Sequence, residues 1–273
     1  MLSEIRPVRR AYCLIRPQPH YRRDAFVAGL RAVGFDVWEH LPDKPVHAGD
    51  ALVIWNRYHE NHDTARAFER AGGTVLVAEN GYLGVEYAGA RWYALSLSFH
   101  NGAGASPCTT TRAGVVGLLR ETLEEWRGPE AGRDVLLLPQ RGIGTPGVAM
   151  PHDWTNDTLV RVRAMTKLPL RVREHPGVNT PDVPLVDDLL AARFVVTWGS
   201  GAAHHAIRLG VPVFYDMPNW IGACAAARLY AVPFEQAVRP DREPWLGRLA
   251  RGMWRVEEIA SGDAFREVYA ATA

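Results

Sequence analysis

Short apolar segments alternate with amphipathic segments along most of the chain. In the first half, the segments AYCLIR, ALVIWN and TVLVAE have the length and composition of buried strands. The stretches RRDAFVAGLRAVG and DTARAFERAGG between them have helical spacing, and we expect Asp63 to cap the second helix and Gly34 and Gly72 to end the two. Strands that alternate with helices form βαβ units, so the sequence predicts parallel sheets.

The same alternation resumes after a break at residues 127–134, which contains glycine and proline. Strands are predicted at DVLLLPQ, LRVREH, FVVTW and VPVFYD, with helices at TNDTLVRVRAMT and PLVDDLLAAR, and the helix RAGVVGLLRETLEEW leads into the break. We therefore predict an α/β protein of two Rossmann-like domains that face a cleft, at residues 1–128 and 129–273. The last helix is free to pack back on the first domain.

Composition narrows the class of protein. Of the 273 residues, 47% are hydrophobic and 22% are charged, which is typical of a soluble globular protein. No apolar run reaches the roughly 20 residues of a transmembrane helix, and the start lacks the apolar core of a signal peptide. Cys13, Cys108 and Cys224 lie far apart, so we expect neither a disulfide framework nor a zinc site, and a cytoplasmic location.

Polar and cationic residues follow nearly every predicted strand. They are Arg16 and the segments NRYHE (56–60), ENGY (79–82), PQRGIGTPG (139–147), EHPG (174–177), GSG (199–201) and DMPNW (216–220). Open parallel α/β sheets bind ligands beyond the carboxyl ends of their strands. We therefore expect these segments to line one cleft between the two domains.

Several of these segments are suited to phosphate. A Gly-Ser-Gly corner that opens a helix offers backbone N–H groups and a hydroxyl to an anion. His204 and His205 follow it, and since neighbours on a helix point about 100° apart, we expect that they cannot both face the ligand. The candidate donor-binding residues are Arg141, Gly142, Gly144, His175, Pro176, Gly199, Ser200, Gly201 and His204.

Three better-known motifs are not supported. RGIGTPG contains G-x-G-x-x-G, but Pro146 and the segment VAMPHDW delay the helix that a dinucleotide fingerprint needs at once. A nucleophile elbow fails because Trp198 occupies the position of its first glycine. The chain has no D-x-D, so we expect neither a bound metal nor a cofactor.

A general base is expected on the first domain. Glu79 ends a buried strand, where partial desolvation can raise the pKa of a carboxyl group. His59 and His100 are alternative candidates for the base, because the pKa of an unperturbed histidine is closer to neutrality than that of a carboxyl group. The candidate residues on the acceptor side are Arg16, Arg57, Tyr58 and Asn80.

The segments ENGYLG, REHPG, TWGSGAAHHAIRLGVPV and YDMPNWIG, in this order, resemble the motifs of the capsule-polysaccharide glycosyltransferases. That family includes Kdo transferases and bacterial sialyltransferase relatives with a GT-B fold. The resemblance spans roughly residues 74 to 222. It implies that Glu79 is the catalytic acid/base and that His175 and Ser200 hold the donor phosphate. Two positions depart from the family pattern: Asn80 replaces an acidic residue, and Ser200 is a single serine where the family often has two. The resemblance therefore does not fix the donor, which is a CMP-, UDP- or GDP-sugar.

The resemblance predicts a metal-independent transferase that moves a sugar from a nucleotide-sugar donor to a hydroxyl acceptor, with the nucleotide on residues 129–273. The acceptor is a saccharide or, alternatively, DNA with hydroxymethylated bases, on which compact phage GT-B enzymes act. Seven arginines against two acidic residues give residues 1–31 a charge of +5, which suits DNA phosphates. A second alternative is a nucleotide-sugar epimerase or a non-catalytic sugar-nucleotide-binding protein.

Overall fold

The computed structural model of the protein describes residues 9–41, 45–100, 102–104, 106 and 108–270. Part of the basic N-terminal segment, including Glu4 and Arg6, lies outside these residues. Within the described ranges, no helix is long and apolar enough to cross a membrane.

Strands and helices alternate over most of the chain. The strands are β1 (Arg10–Cys13), β2 (Asp36–Trp38), β3 (Ala51–Trp55), β4 (Thr74–Asn80), β5 (Glu86–Tyr87), β6 (Ala90–Leu97), β7 (Asp134–Leu138), β8 (Leu170–Val172), β9 (Ala192–Thr197), β10 (Val213–Tyr215), β11 (Ala227–Arg228) and β12 (Met253–Arg255). The helices are α1 (Arg23–Ala32), α2 (Glu60–Arg70), α3 (Ala113–Arg120), α4 (Trp154–Met165), α5 (Leu185–Ala191), α6 (Ala202–Arg208), α7 (Glu243–Gly252), α8 (Val256–Ala260) and α9 (Asp263–Ala270).

The first sheet is mixed, and the prediction of a wholly parallel sheet is wrong here. Its strand order is β12-β6-β4-β3-β1-β2, with β5 beside β6. Strands β1 to β4 pair in parallel, whereas β6 runs antiparallel to both β4 and β12. The link from β4 to β6 contains only the two-residue β5 and turns, and a connection that short joins neighbouring strands in antiparallel fashion.

The second sheet is parallel, as the alternation predicts. Its order is β11-β10-β9-β7-β8, and every pair in it is parallel. The central strands β7 and β9 are almost wholly apolar and buried, which is expected of strands covered by helices on both faces. Residues 139 and 198, which follow these two strands, therefore come to the same edge of the sheet.

The C-terminal segment returns to the first sheet, and apart from a last helix its elements were not predicted from the sequence. Helix α7 runs directly into β12, where Trp254 pairs with Tyr93 of β6. Helices α8 and α9 then pack on α1, with the rings of Phe26 and Phe265 6.5 Å apart. Gly29 permits this approach, because a Cβ atom on it would lie 1.8 Å from the carbonyl oxygen of Ile259.

Two helix boundaries differ from the prediction. Helix α2 begins at Glu60 after His59, so Asp63 lies in the first turn and the prediction that it caps the helix is wrong. Helix α3 ends at Arg120 instead of continuing to Trp126. The residues expected to end α1 and α2, Gly34 and Gly72, have φ of 89° and 79°, a conformation that glycine adopts without strain.

Candidate active site

A cavity of about 400 Å³ lies where strand ends of both sheets meet. Most of its walls come from residues at the ends of β3 and β4 of the first sheet and of β7, β8 and β9 of the second, or just after those ends. The predicted site residues that line it are Glu79, Asn80, Arg141, His175, Pro176, Gly199, Ser200, Gly201 and His204. Residues that were picked from separate loops of the sequence are thus brought together around one space.

Glu79 is the acidic residue that the first sheet contributes to the cavity. It is half-buried near the end of β4, where it pairs with Ala94 of β6. The chain then turns sharply, since Gly84 N–H donates to the Gly81 carbonyl oxygen at 2.8 Å. A Cβ atom on Gly81 would lie 2.8 Å from Trp92 Cβ, so only glycine lets the loop pass this close to β6.

Ser200 lies at the corner between β9 and α6 and is largely buried. Its backbone N–H donates to Thr197 Oγ1 at 2.9 Å, and its Oγ accepts a hydrogen bond from Ala202 N–H at 3.3 Å. The corner therefore offers an anion fewer backbone donors than the sequence led us to expect. With Oγ already accepting, the hydroxyl hydrogen of Ser200 is the group suited to donate to a ligand.

His175 and Arg141 lie together on the same side of the cavity as Ser200, the side formed by the second sheet. Nδ1 of His175 accepts the backbone N–H of Gly177 at 2.9 Å, so a neutral ring carries its hydrogen on Nε2. Burial, and next the charge of Arg141, lower the pKa of His175. A Cβ atom on Gly177 would lie 3.0 Å from Arg141 Nη1 and 3.2 Å from His175 Nδ1, which places all three groups together.

His204 and His205 both belong to the cavity lining, and His204 is largely buried behind it. The His204 ring stacks on Trp220 with centroids 5.1 Å apart, and it contacts Tyr82 at 5.6 Å. Trp245 Nε1 donates to Nδ1 of His204 at 3.1 Å. Burial lowers the pKa of His204 to about 3 and that of His205 to about 4, which keeps both rings neutral near pH 7.

Other lining residues were not among the predicted site residues. Arg173 follows β8, and its Nη1 lies 2.5 Å from a carboxylate oxygen of Asp188. Gln140 follows β7 and donates from Nε2 to the Gly199 carbonyl oxygen at 2.9 Å, which ties two of the corners together. Both lie directly after strands, and that position is the signal by which the sequence could have identified them.

The rival bases lie outside the cavity lining. His100 is buried, and its Nδ1 accepts the Arg57 backbone N–H at 3.0 Å. Burial lowers the pKa of His100 to about 4, far from that of a group poised near neutrality. His59 is exposed at the start of α2, and its ring packs against Tyr58 at 4.4 Å. Glu79 is the only one of the three candidates for the base that lines the described cavity.

The remaining predicted residues also lie away from the cavity. Arg57 is buried, and its guanidinium holds Glu69 at 2.5 Å and the Ser98 carbonyl oxygen at 2.7 Å, so the structure does not present it to an acceptor. Arg16 is exposed beside Tyr21. Along the described chain, the cavity lining does not include Arg16, Arg57, Tyr58, Gly142 or Gly144.

The described residues contain no group of three or more His, Cys, Asp or Glu side chains that could hold a metal ion.

Two solved structures share the fold of this chain. The beta Kdo 2,7 transferase of KpsC from Thermosulfurimonas dismutans matches with a TM-score of 0.55 and 14% identity over 94% of this chain and 99% of that chain. The beta Kdo 2,4 transferase of the same organism's KpsC matches with a TM-score of 0.56 and 12% identity over 92% and 98%. No family model and no curated protein matches the chain. The resemblance to capsule-polysaccharide Kdo transferases is thus confirmed for the fold.

Proposed function

We propose that this chain is a metal-independent GT-B glycosyltransferase that moves a sugar from a nucleotide-sugar donor to a hydroxyl acceptor. Residues 1–128 then form the acceptor-side domain and residues 129–273 the donor-side domain, with the C-terminal segment packed back on the first. The observation that carries the proposal is the cavity lining, which has Glu79 from one sheet and Ser200 and His175 from the other.

The donor side has groups suited to a phosphate. Arg141 supplies a positive charge, and His175 and Ser200 supply a neutral N–H and an O–H donor. Hydrogen bonds between charged partners are roughly twice as strong as neutral ones. We therefore expect Arg141 to contribute most to affinity for the phosphate group of the nucleotide sugar. These groups also stabilise the charge that builds on the departing phosphate, which is the role a metal ion plays in other transferases.

Glu79 is proposed as the base. The acceptor oxygen forms a bond to the anomeric carbon, and the bond from that carbon to the phosphate oxygen breaks, with its electron pair leaving on the nucleotide. The proton of the acceptor hydroxyl passes to the carboxylate of Glu79. A positioned base of this kind contributes about 10²–10⁴-fold to a rate.

The fold neighbours support this proposal in general terms, because both solved proteins are named as Kdo transferases. The nucleotide and the sugar of this chain's donor remain part of the proposal, with CMP-, UDP-, GDP- and dTDP-sugars as the candidates.

A saccharide is favoured over DNA as the acceptor. In the basic segment, Arg10 lies 2.6 Å from Asp50, Arg22 lies 3.0 Å from Asp24 and Arg23 lies 3.0 Å from Glu39. Two of these carboxylates lie outside residues 1–31, so they offset the charge of +5 counted along the sequence. Binding duplex DNA requires several cations free to neutralise phosphates, and these three already have partners.

Calorimetric titration with CMP-, UDP-, GDP- and dTDP-sugars, with and without a chelator, tests the proposal. We expect one of them to bind with the same affinity in both conditions. His175→Ala should weaken that binding, whereas His152→Ala should not, because the side chain of His152 is 98% exposed and outside the cavity. Failure of every nucleotide sugar to bind contradicts the proposal. Conversion of the donor to a different nucleotide sugar without an acceptor identifies an epimerase instead.

A further inference from the structure

The chain that follows β6 of the first sheet makes contact with two loops of the second sheet. Gly102 lines the cavity with a φ of 68°, and a Cβ atom on it would lie 2.5 Å from Cγ2 of Ile221, which follows β10. His100, two residues earlier, contacts the backbone of Ile143 in the loop after β7. We call Ser98, Phe99, His100 and Gly102 the bridging turn.

Arg57 holds the bridging turn from the side of the first sheet. Its guanidinium donates to the Ser98 carbonyl oxygen at 2.7 Å and lies 4.8 Å from the centroid of the Phe99 ring. Its backbone N–H donates to Nδ1 of His100 at 3.0 Å. Arg57 and His100 are both buried. The orientation of the His100 ring is therefore fixed by the first sheet.

The other ring nitrogen of His100 is turned towards the second sheet. Because Nδ1 accepts a hydrogen bond, a neutral ring carries its hydrogen on Nε2. Nε2 is buried, and no described residue meets it with full hydrogen-bond geometry. Burial lowers the pKa of His100, and the backbone of Ile143 opposes this shift, as a hydrogen-bond acceptor does. The carbonyl oxygen of Ile143 is thus the group that Nε2 faces, and a small movement of Ile143 would complete the bond.

Ile143 belongs to the loop that carries Arg141. Both residues line the cavity. Gly142 and Gly144 flank Ile143 with φ of 68° and 130°, a region that glycine adopts without strain. The backbone N–H groups of Arg141, Gly142 and Gly144 donate to no described residue, so the loop does little to fix its own position. A contact made at Ile143 therefore affects where Arg141 lies.

We propose that His100 is a positioning residue for the donor: its Nε2–H donates to the Ile143 carbonyl oxygen and thereby holds Arg141 towards the phosphate group. The first sheet then contributes to donor binding through a side chain that does not touch the donor. This inference rests on the proposed function, because Arg141 is assigned there to the phosphate. It does not depend on which sugar or which acceptor the protein uses.

Two substitutions of His100 separate the roles of its two nitrogens. His100→Asn keeps an acceptor near the position of Nδ1 but is too short to reach Ile143, whereas His100→Gln keeps an amide N–H near the position of Nε2. Each variant loses one hydrogen-bonding group of a buried ring, so a general loss of stability would affect both. We expect His100→Asn to weaken nucleotide binding about fivefold to tenfold and His100→Gln to weaken it less.

Calorimetric titration of the full chain with CMP, UDP, GDP and dTDP measures this binding, and Arg141→Gln completes a double-mutant cycle. Because His100 acts through Arg141, His100→Asn should cause little further loss of affinity when Arg141→Gln is already present. Equal losses in His100→Asn and His100→Gln, or a full additional loss in the double variant, would overturn the inference.

Cleavage by trypsin after Arg141, followed by mass spectrometry, reports on the loop without any nucleotide. Arg141 is exposed, and we expect His100→Asn to speed cleavage there more than His100→Gln does, while cleavage after Arg163 within α4 stays slow in both. Equal rates of cleavage after Arg141 in the two variants contradict the inference. If no nucleotide binds while the cleavage rates differ as expected, the transferase function fails alone; if a nucleotide binds equally well to the unaltered protein and both variants, this inference fails alone.

Discussion

The hydrogen bond between Trp245 and His204 joins helix α7 to the helix that follows the Ser200 corner. Both side chains are buried, with 0% and 2% of their surface exposed. Trp220 stacks on the same imidazole and is 1% exposed, but its indole Nε1 has no hydrogen-bond partner among the described residues. The two tryptophans therefore offer a matched pair in which only one indole N–H is used.

Trp245→Phe and Trp220→Phe remove the same atoms from the same cluster. The first also leaves Nδ1 of His204 as a buried acceptor without a donor, which costs about 1–3 kcal/mol. The second removes a donor that has no partner and adds no such cost. In a protein of this size, each kcal/mol of lost stability lowers the Tm by about 2–4 °C. We therefore expect the Tm of Trp245→Phe to lie about 2–12 °C below that of Trp220→Phe.

Thermal unfolding followed by far-ultraviolet circular dichroism measures this difference without depending on tryptophan fluorescence. The ¹⁵N chemical shifts of His204 give a second readout, because the hydrogen bond fixes a neutral ring with its hydrogen on Nε2. Equal Tm values for the two variants, or a hydrogen on Nδ1 of His204, would refute the reasoning.

Three further outcomes are expected. Burial lowers the pKa of His100, His204 and His205 below the unfolded value of about 6.5, so the unfolded chain binds protons at a higher pH than the folded chain. The free energy of unfolding should therefore fall as the pH drops from about 6.5 towards 4, by up to ~1.4 kcal/mol per pH unit for each histidine. Equal urea midpoints at pH 7 and pH 5 would contradict this. Arg57→Gln should lower the urea midpoint because it leaves Glu69 without its partner, yet leave acceptor affinity unchanged; a selective loss of acceptor binding would restore it as a site residue. Gly81→Ala should lower the transfer rate more than donor affinity, because its Cβ would lie 2.8 Å from the Gly84 carbonyl oxygen and displace the loop after Glu79; an unchanged rate measured with saturating donor would argue against this.

Local pattern was sufficient for the elements that carry the cavity. Arg141, His175 and Ser200 follow strands of the second sheet, where the carboxyl ends of parallel strands meet at one edge, whereas Glu79 lies near the end of a strand of the first sheet. The grouping of the three loops of the second sheet could therefore be predicted from local pattern, whereas the presence of Glu79 in the same cavity depends on how the two sheets pack together.

Features that depend on distant partners could not be predicted. Arg57 lies in a loop that suits an acceptor. Its guanidinium, however, forms an ion pair with Glu69 near the end of α2 and a hydrogen bond to the Ser98 carbonyl oxygen. The return of β12 to β6 depends on the pairing of Trp254 with Tyr93, which no local spacing reveals. The same holds for Trp245, whose partner His204 is 41 residues away.

The choice between Glu79 and the other carboxylate in the cavity wall is a direct test of the mechanism. Glu174 also lines the cavity, but it is exposed and follows β8 on the donor side. Glu79→Gln and Glu174→Gln each replace a carboxylate by an amide of the same size. Comparing them therefore separates the loss of a base from the loss of negative charge near the donor.

The measurement is the rate of nucleotide release from the nucleotide sugar that binds, in the presence of a saccharide acceptor, together with donor affinity by calorimetry. We expect Glu79→Gln to lower the rate about 10²–10⁴-fold with donor affinity nearly unchanged, and Glu174→Gln to leave the rate close to that of the unaltered protein. A near-normal rate in Glu79→Gln, with the loss appearing in Glu174→Gln, would contradict the account.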